Sequence, residues 1–131
     1  MSDLEWHPAS EEYCETILEL GQADVEVIQA RVAERLGVTR PAVSGMIRRL
    51  GVAGLVQVTA GIIELTPAGR SLADRVVRRR RLAEQLLVDV LGLDPDDARH
   101  EAGKWEHVIS ATVEDALARL FGLDATAGLR S

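Results

Sequence analysis

The fold is decided by residues 25–50, which read VEVIQARVAERLGVTRPAVSGMIRRL. Apolar residues recur at helical spacing over residues 25–36, and Gly37 follows where the end of a helix favours a left-handed residue. Thr39 is placed to cap a second helix, and a proline falls in the first turn of that helix, where its missing N–H costs nothing. The second helix directs four apolar side chains inward: Val43, Met46, Ile47 and Leu50. The stretch therefore predicts two helices joined by a tight turn.

The segments on either side of this pair complete a winged helix-turn-helix. Ser10 is followed by acidic residues and predicts a capped helix over residues 11–21. Two short apolar runs, residues 54–58 and 62–65, flank the turn-like residues 59–61 and predict a β-hairpin. Helix, turn, helix and hairpin in this order are the elements of a winged DNA-binding domain.

Three further helices are predicted after the hairpin, over residues 66–91, over residues 95–107 with Asp94 as the cap, and from a Ser110 cap to about residue 121. Their apolar residues exceed what one small helical layer can hide, which predicts a homodimer. The residues concerned are Leu86, Leu87, Val90, Leu91, Val108, Ile109, Val113 and Leu117. We expect a mainly α fold, with a winged helix-turn-helix at residues 1–73, a helical dimerisation domain at residues 74–122 and a disordered tail at residues 123–131.

The formal net charge of −6 hides a segregated distribution. Residues 1–30 carry eight acids and no Lys or Arg, residues 31–81 carry eleven arginines against three acids, and residues 82–131 are acidic again. A basic middle between acidic ends indicates a surface for phosphates beside segments that attract cations.

The first residues of the helix that Thr39 caps are expected to read DNA, because they reach the base edges in a major groove. Arg40 is able to grip a guanine bidentately, and Pro41 offers apolar contact to a thymine methyl. Thr39 and Ser44 can bond to bases or phosphates. The residues expected to contact phosphates are Gln29, Arg31, Arg48 and Arg49. The predicted partner is double-stranded DNA.

Composition excludes several other classes of protein. One cysteine rules out a disulfide framework, and no apolar run approaches the roughly 20 residues that a membrane helix needs. The chain has no zinc-protease helix motif, no nucleophile elbow and no phosphate-cradling glycine loop, so we expect neither an enzyme nor a small-molecule substrate. A soluble cytoplasmic protein is the expectation.

Four stretches carry a family resemblance, namely residues 30–36 (ARVAERL), 65–70 (LTPAGR), 81–87 (RLAEQLL) and 105–108 (WEHV). Together they resemble the diphtheria toxin repressor and manganese transport regulator family over roughly residues 9–121. The resemblance implies a divalent-metal-activated, homodimeric repressor with metal bound between its winged helix and its dimerisation domain. Some members add a C-terminal SH3-like domain, and we expect this chain to be of the short, two-domain manganese type.

The resemblance also implies a set of metal ligands. Glu12 and Glu15 match positions where manganese-type members place two carboxylates, and Glu106 and His107 match the Glu-His pair of the family. An imidazole with several carboxylates suits Mn²⁺ or Fe²⁺. Metal binding is expected to remove the repulsion among the carboxylates and to tie each winged helix to the dimer. The two recognition helices are then held at one separation and meet successive major grooves of a palindromic operator.

The chain departs from the family pattern at three positions. Gly103 supplies no side chain where a ligand is expected, and Arg80 and Arg99 stand where members carry histidines. A guanidinium cannot ligate a cation. We therefore expect one metal site per subunit, with the ancillary site lost.

Two residues are additional candidate ligands. His100 lies seven residues before His107, on nearly the same helix face, although a lone histidine beside acidic residues is more often a solvated one. Glu84 lies four residues after Arg80, and this pair is either an ordinary exposed ion pair, which we favour, or a case in which the arginine acts as a built-in cation.

Two other functions stay open. The first is a metal-independent winged-helix regulator with a degenerate metal site, and the second is a helical module that acts through protein partners. Absence of metal binding would indicate the former, and absence of salt-dependent DNA affinity would indicate the latter.

Overall fold

The computed structural model describes residues 8–122, and the tail predicted at residues 123–131 lies outside them. The first elements are α1 (Pro8–Gln22), α2 (Gln29–Leu36), α3 (Arg40–Val52), β1 (Val56–Thr59) and β2 (Ile62–Leu65). They are followed by α4 (Pro67–Gln85), a π-helical turn (Leu86–Val90), α5 (Pro95–Trp105) and α6 (Ala111–Leu120). The chain divides into two compact units between Arg75 and Val76. The predicted mainly α fold with an N-terminal winged helix is confirmed.

The turn between α2 and α3 forms as the sequence predicts. Gly37 has a φ of 67°, the left-handed conformation that glycine adopts without strain. The Thr39 hydroxyl accepts a hydrogen bond from the Ala42 amide at 3.2 Å and so caps α3. The four apolar residues predicted to face inward from α3 are all buried. The recognition helix is thus anchored by one complete apolar face.

Helix α2 begins later than the apolar spacing predicts. The spacing extends the helix back to residue 25, but α2 begins at Gln29, and Ile28 is extended with φ −119° and ψ 162°. The reason is a tertiary hydrogen bond, since the Ile63 amide of β2 donates to the Val27 carbonyl at 2.8 Å. Backbone pairing with the wing therefore takes this segment out of the helix.

Helix α1 begins earlier than predicted. It begins at Pro8, whose fixed φ suits a first helical turn, so the prediction that Ser10 caps this helix is wrong. Ser10 instead lies inside the helix and is fully buried. The apolar stripe predicted for α1, which includes Tyr13, Ile17 and Leu20, is buried as expected.

The wing is a β-hairpin whose turn has two residues. Thr59 pairs with Ile62, and the two residues between them, Ala60 and Gly61, both have positive φ. Two successive positive φ values are the geometry that matches the twist of an antiparallel pair. The Thr66 hydroxyl then donates to the Gly54 carbonyl at 2.6 Å and accepts from the Gly69 amide at 3.1 Å, which ties the start of α4 to the base of the wing.

The second unit is built from the end of α4, the π-helical turn, α5 and α6. Its core holds Leu82, Ala83, Leu87, Ala98, Ala102, Ile109 and Leu117. The caps predicted for α5 and α6 form, because Asp94 accepts from the Asp96 amide and Ser110 accepts from the Val113 amide. Helix α5 ends at Trp105 rather than at residue 107, so His107 lies in the turn that follows.

The residues predicted to form the dimer surface differ in burial, and one of them, Leu86, is partly buried against the core of the second unit. Leu87, Ile109 and Leu117 belong to the core of the second unit, where they are needed to hold its helices together. Four others are exposed: Val90, Leu91, Val108 and Val113. Within residues 8–122, no helix is both long and apolar enough to cross a membrane.

Candidate nucleic-acid interface and metal ligands

The N-terminal end of α3 presents the side chains that the sequence assigns to DNA. Thr39, Arg40 and Pro41 are exposed, and Ser44 is half-buried one turn further on. The Thr39 oxygen accepts the capping hydrogen bond, which leaves its hydroxyl proton available to donate to a phosphate or base. The predicted reading residues thus lie at one accessible helix end.

The arginines of α3 remain open to solvent. Arg40, Arg48 and Arg49 are exposed, and none of them forms an ion pair within the part of the chain that the structure describes. On α2, Arg31 is exposed and Gln29 is half-buried. Cationic side chains that project from the recognition helix without a protein carboxylate are suited to phosphate neutralisation.

The two glutamates predicted as ligands on α1 differ in exposure. Glu15 is 6% exposed, whereas Glu12 is exposed. A third glutamate, Glu11, is also buried, at 5%. Sequence reasoning missed Glu11, although its spacing of four residues from Glu15 puts both on one face of the helix. The carboxylate pair buried on α1 is therefore Glu11 and Glu15.

Cys14 is a buried structural thiol. Its side chain is inaccessible, and burial, assisted by the Glu11 carboxylate, raises its pKa to about 12. Burial also raises the pKa of the neighbouring Tyr13, with Glu12 acting in the same direction and Arg49 opposing it. A thiol that is protonated at neutral pH is a poor nucleophile.

The predicted Glu-His pair lies at the end of α5. Glu106 is 4% exposed, and its Oε1 atom lies 3.2 Å from Nε2 of His107. Its other carboxylate oxygen, Oε2, is buried and accepts no hydrogen bond from any of residues 8–122. Arg80 of α4 places its Nη1 atom 3.8 Å from that oxygen, which is longer than a hydrogen bond.

These groups fit a divalent cation as part of its ligand set. A carboxylate and an imidazole are donors that Mn²⁺ and Fe²⁺ accept, and a buried carboxylate oxygen without a hydrogen-bond donor is stabilised by a cation. Gly103 adds no donor, and a side chain built there would meet open space. Among residues 8–122 no three or more His, Cys, Asp or Glu side chains are gathered into a metal-binding group.

The remaining predicted site residues form no metal-binding group with this pair within residues 8–122. His100 is exposed, and because α5 ends at Trp105 the helical spacing that related His100 to His107 does not extend to the second histidine. Glu84 is half-buried on α4. Arg99 is exposed and forms a weak pair with Asp96 at 3.5 Å. Their assignment as ligands or as former ligand positions stays a prediction.

A buried ion-pair cluster in the second unit was missed by sequence reasoning. Arg78 Nε donates to Glu114 Oε2 at 2.7 Å, and Arg79 Nε donates to Glu114 Oε1 at 2.8 Å, so one α6 carboxylate holds two α4 arginines. The signal was available, because four consecutive arginines, residues 78–81, wrap around a helix and cannot all face solvent. Part of the positive charge in the basic middle of the chain therefore neutralises a carboxylate of the protein itself.

Comparison with known proteins identifies the family. Residues 6–60 match the model described as "Iron dependent repressor, N-terminal DNA binding domain", and residues 66–124 match "Iron dependent repressor, metal binding and dimerisation domain". The chain belongs to the iron-dependent repressor family. Both matches are in the order that the fold requires, and they confirm the resemblance carried by the four sequence stretches.

Individual relatives agree with this assignment. The chain is 44% identical over 112 residues to the diphtheria toxin repressor of Corynebacterium diphtheriae, a match that covers 85% of this chain and 50% of the relative. It is 42% identical over 118 residues to the iron-dependent repressor IdeR of Mycobacterium tuberculosis, covering 89% of this chain and 51% of that protein. The chain thus spans about half the length of these curated relatives.

Solved structures of manganese regulators share the fold. A manganese-dependent transcriptional repressor in complex with manganese is 33% identical, with a TM-score of 0.79 over 86% of this chain and 52% of that one. The manganese regulator SloR is 31% identical, with a TM-score of 0.75 over 86% of this chain and 53% of that one. Iron-named and manganese-named relatives are therefore both similar to this family member.

Proposed function

We propose that this family member is a cytoplasmic, homodimeric transcriptional repressor that binds a palindromic operator in response to Mn²⁺ or Fe²⁺, with one metal site per subunit. The observation that carries the proposal is a recognition helix with three exposed arginines, in a chain whose second domain buries Glu106 beside His107. The proposal includes no catalytic step, no membrane and no small-molecule substrate.

DNA recognition is assigned to α3. With its N-terminal end in the major groove, Arg40 reads guanine, Pro41 contacts a thymine methyl, and Thr39 and Ser44 bond to bases or phosphates. The phosphate contacts are assigned to Gln29, Arg31, Arg48 and Arg49. Two such helices in a dimer would meet half-sites about 34 Å apart, one turn of DNA.

Dimerisation is assigned to the exposed apolar residues of the second unit. Val108 is 79% exposed, Leu91 57%, Val90 55% and Val113 46%. Leu120 of the same unit is also 57% exposed, and each of these side chains gains free energy when it is covered by a partner. A second copy of the chain is the partner that the family's dimerisation domain supports.

Metal response is assigned to Glu106 and His107, with Glu12 and Glu15 as the further ligands that the resemblance implies. Without compensation, carboxylates that share a site repel one another and disfavour the ordered state. A bound divalent cation supplies the positive charge that removes this repulsion. Glu106 and His107 are already adjacent and mostly buried, so little side-chain ordering is needed for both to donate.

The proposal is tested by mobility shift with a palindromic operator, in a chelator and with each divalent metal in turn. His107→Ala is expected to lose the metal-dependent shift and to remain dimeric by size-exclusion chromatography. Lys104→Ala is the control, since it removes an exposed side chain of the same domain that is not a candidate ligand, and it is expected to respond as the wild type does. A His107→Ala variant that still responds to metal would remove His107 from the site.

A second function is favoured by specific observations. Gly103 offers no ligand, and Arg80 places a positive charge near Glu106. These features favour a regulator that keeps the DNA-binding scaffold and binds its operator without metal. Equal operator affinity in chelator and in Mn²⁺, with no heat of binding at micromolar metal, would support this function over the first one.

A further inference from the structure

The Glu106 carboxylate is buried with its two oxygens unequally satisfied. Oε1 lies 3.2 Å from His107 Nε2, but Oε2 is buried and accepts no hydrogen bond from the part of the chain that the structure describes. An ionised oxygen removed from water without a donor is unfavourable unless a cation lies nearby, because burial strips away its hydration. The carboxylate therefore depends on an electrostatic partner at Oε2.

Arg80 is a cationic group placed at this oxygen. Its Nη1 atom lies 3.8 Å from Oε2, and its side chain is 27% exposed against 5% for Glu106. At this distance the guanidinium stabilises the carboxylate by charge without donating a hydrogen bond to it. In a partly buried environment the attraction is stronger than in water, because solvent screens it less.

The helix backbone that carries Arg80 is tied to α6 by the two residues before it. Arg78 and Arg79 both donate to Glu114 of α6, with distances of 2.7 and 2.8 Å. This anchor holds the α4 backbone immediately before Arg80. The guanidinium extends from this anchored part of the helix, and its side chain is only 27% exposed.

We propose that Arg80 is a resident counter-ion of Glu106 and competes with a divalent cation for the Oε2 atom, so that it lowers the metal affinity of the site. This inference rests on the proposed metal-binding function. It assigns to Arg80 a regulatory effect, since the metal concentration at which the site fills depends on how strongly the guanidinium opposes a second cation. It also makes Glu106 the partner of Arg80, in place of the Glu84 pairing that helical spacing suggests.

Calorimetric titration of the full chain with Mn²⁺ tests the competition. Arg80→Gln removes the charge and is expected to tighten Mn²⁺ binding by about tenfold or more. Arg75→Gln is the matched control, because it removes an exposed arginine from the same helix, and it is expected to leave affinity unchanged. Arg80→Lys keeps the charge and is expected to keep the lower affinity. Unchanged or weaker binding by Arg80→Gln would overturn the proposal.

A second measurement on the metal-free protein tests the counter-ion role by itself. In chelator, Arg80→Gln is expected to lower the thermal midpoint in the wild-type background, and to lower it by less when Glu106→Gln is also present. Independent, additive effects of the two substitutions would overturn the pairing.

The outcomes separate this inference from the proposed function. If the wild type binds no Mn²⁺ but Arg80→Gln does, the inference stands and the metal response fails. If the wild type binds Mn²⁺ and Arg80→Gln binds no more tightly, the inference alone fails. If neither protein binds Mn²⁺, both are overturned.

Discussion

The arginines of α3 and those of α4 are chemically identical and have opposite surroundings. Arg40, Arg48 and Arg49 are exposed and form no ion pair within residues 8–122. Arg78 and Arg79 share the Glu114 carboxylate, and Arg79 is only 7% exposed. A basic segment is therefore not one electrostatic surface, because nearby carboxylates decide which of its charges remain available to a nucleic acid.

The largest effect is on stability, and it is expected when the carboxylate that pairs with the α4 arginines is removed. Glu114→Ala leaves two mostly buried guanidinium groups without their carboxylate and is expected to lower the free energy of unfolding by about 3 kcal/mol. Urea denaturation measures this loss. The control is Asp115→Ala, an exposed neighbour expected to change stability by less than about 0.5 kcal/mol. A loss below about 1 kcal/mol for Glu114→Ala would place the cluster with ordinary surface ion pairs.

A smaller effect, on binding rather than stability, is expected at the first α3 arginine. Arg40→Ala is expected to weaken operator binding roughly tenfold to a hundredfold and to relax base preference at one position of each half-site. Binding titrations with operators substituted at that position provide the measurement. Arg99→Ala, an exposed arginine in the second unit, serves as the control. If binding weakened equally for all operator sequences, Arg40 would contact a phosphate and not a base.

The smallest effect is on the salt dependence of DNA binding, and it compares the α3 arginines with those of α4. Arg48→Ala and Arg49→Ala are each expected to reduce the slope of log affinity against log salt concentration by about one, because each arginine neutralises one phosphate. Arg78→Ala is expected to leave this slope unchanged, since its charge is already matched by Glu114. Equal slope changes on α3 and α4 would mean that both arginine groups face DNA.

Local sequence signals predict most helix ends correctly. Gly37, Thr39, Asp94 and Ser110 all perform the capping or terminating roles that their residue types indicate. Such signals succeed because a cap is satisfied by atoms two or three residues away in the chain. Ser10 fails as a cap because a proline two residues earlier already begins α1.

The candidate site is predicted less completely than the fold. The Glu106 and His107 assignment comes from a motif, but the proximity of Arg80 to Glu106 and the pairing of Arg78 and Arg79 with Glu114 bring together residues about 26 to 36 positions apart. Nothing in a helical period specifies which acid of another helix meets a given arginine. The burial of Glu11 is missed as well, because the resemblance directs attention to Glu12 and burial depends on packing.

The sequence by itself determined the winged helix, the buried face of α3 and the exposed residues at its N-terminal end, because periodicity, caps and turn residues act over a few positions. Tertiary structure alone decided where α2 begins, through the hydrogen bond from Ile63 to Val27, and which arginines are neutralised. Both decisions depend on atoms that only packing brings within reach, and the free energy of a charge depends on those neighbours more than on its own residue type.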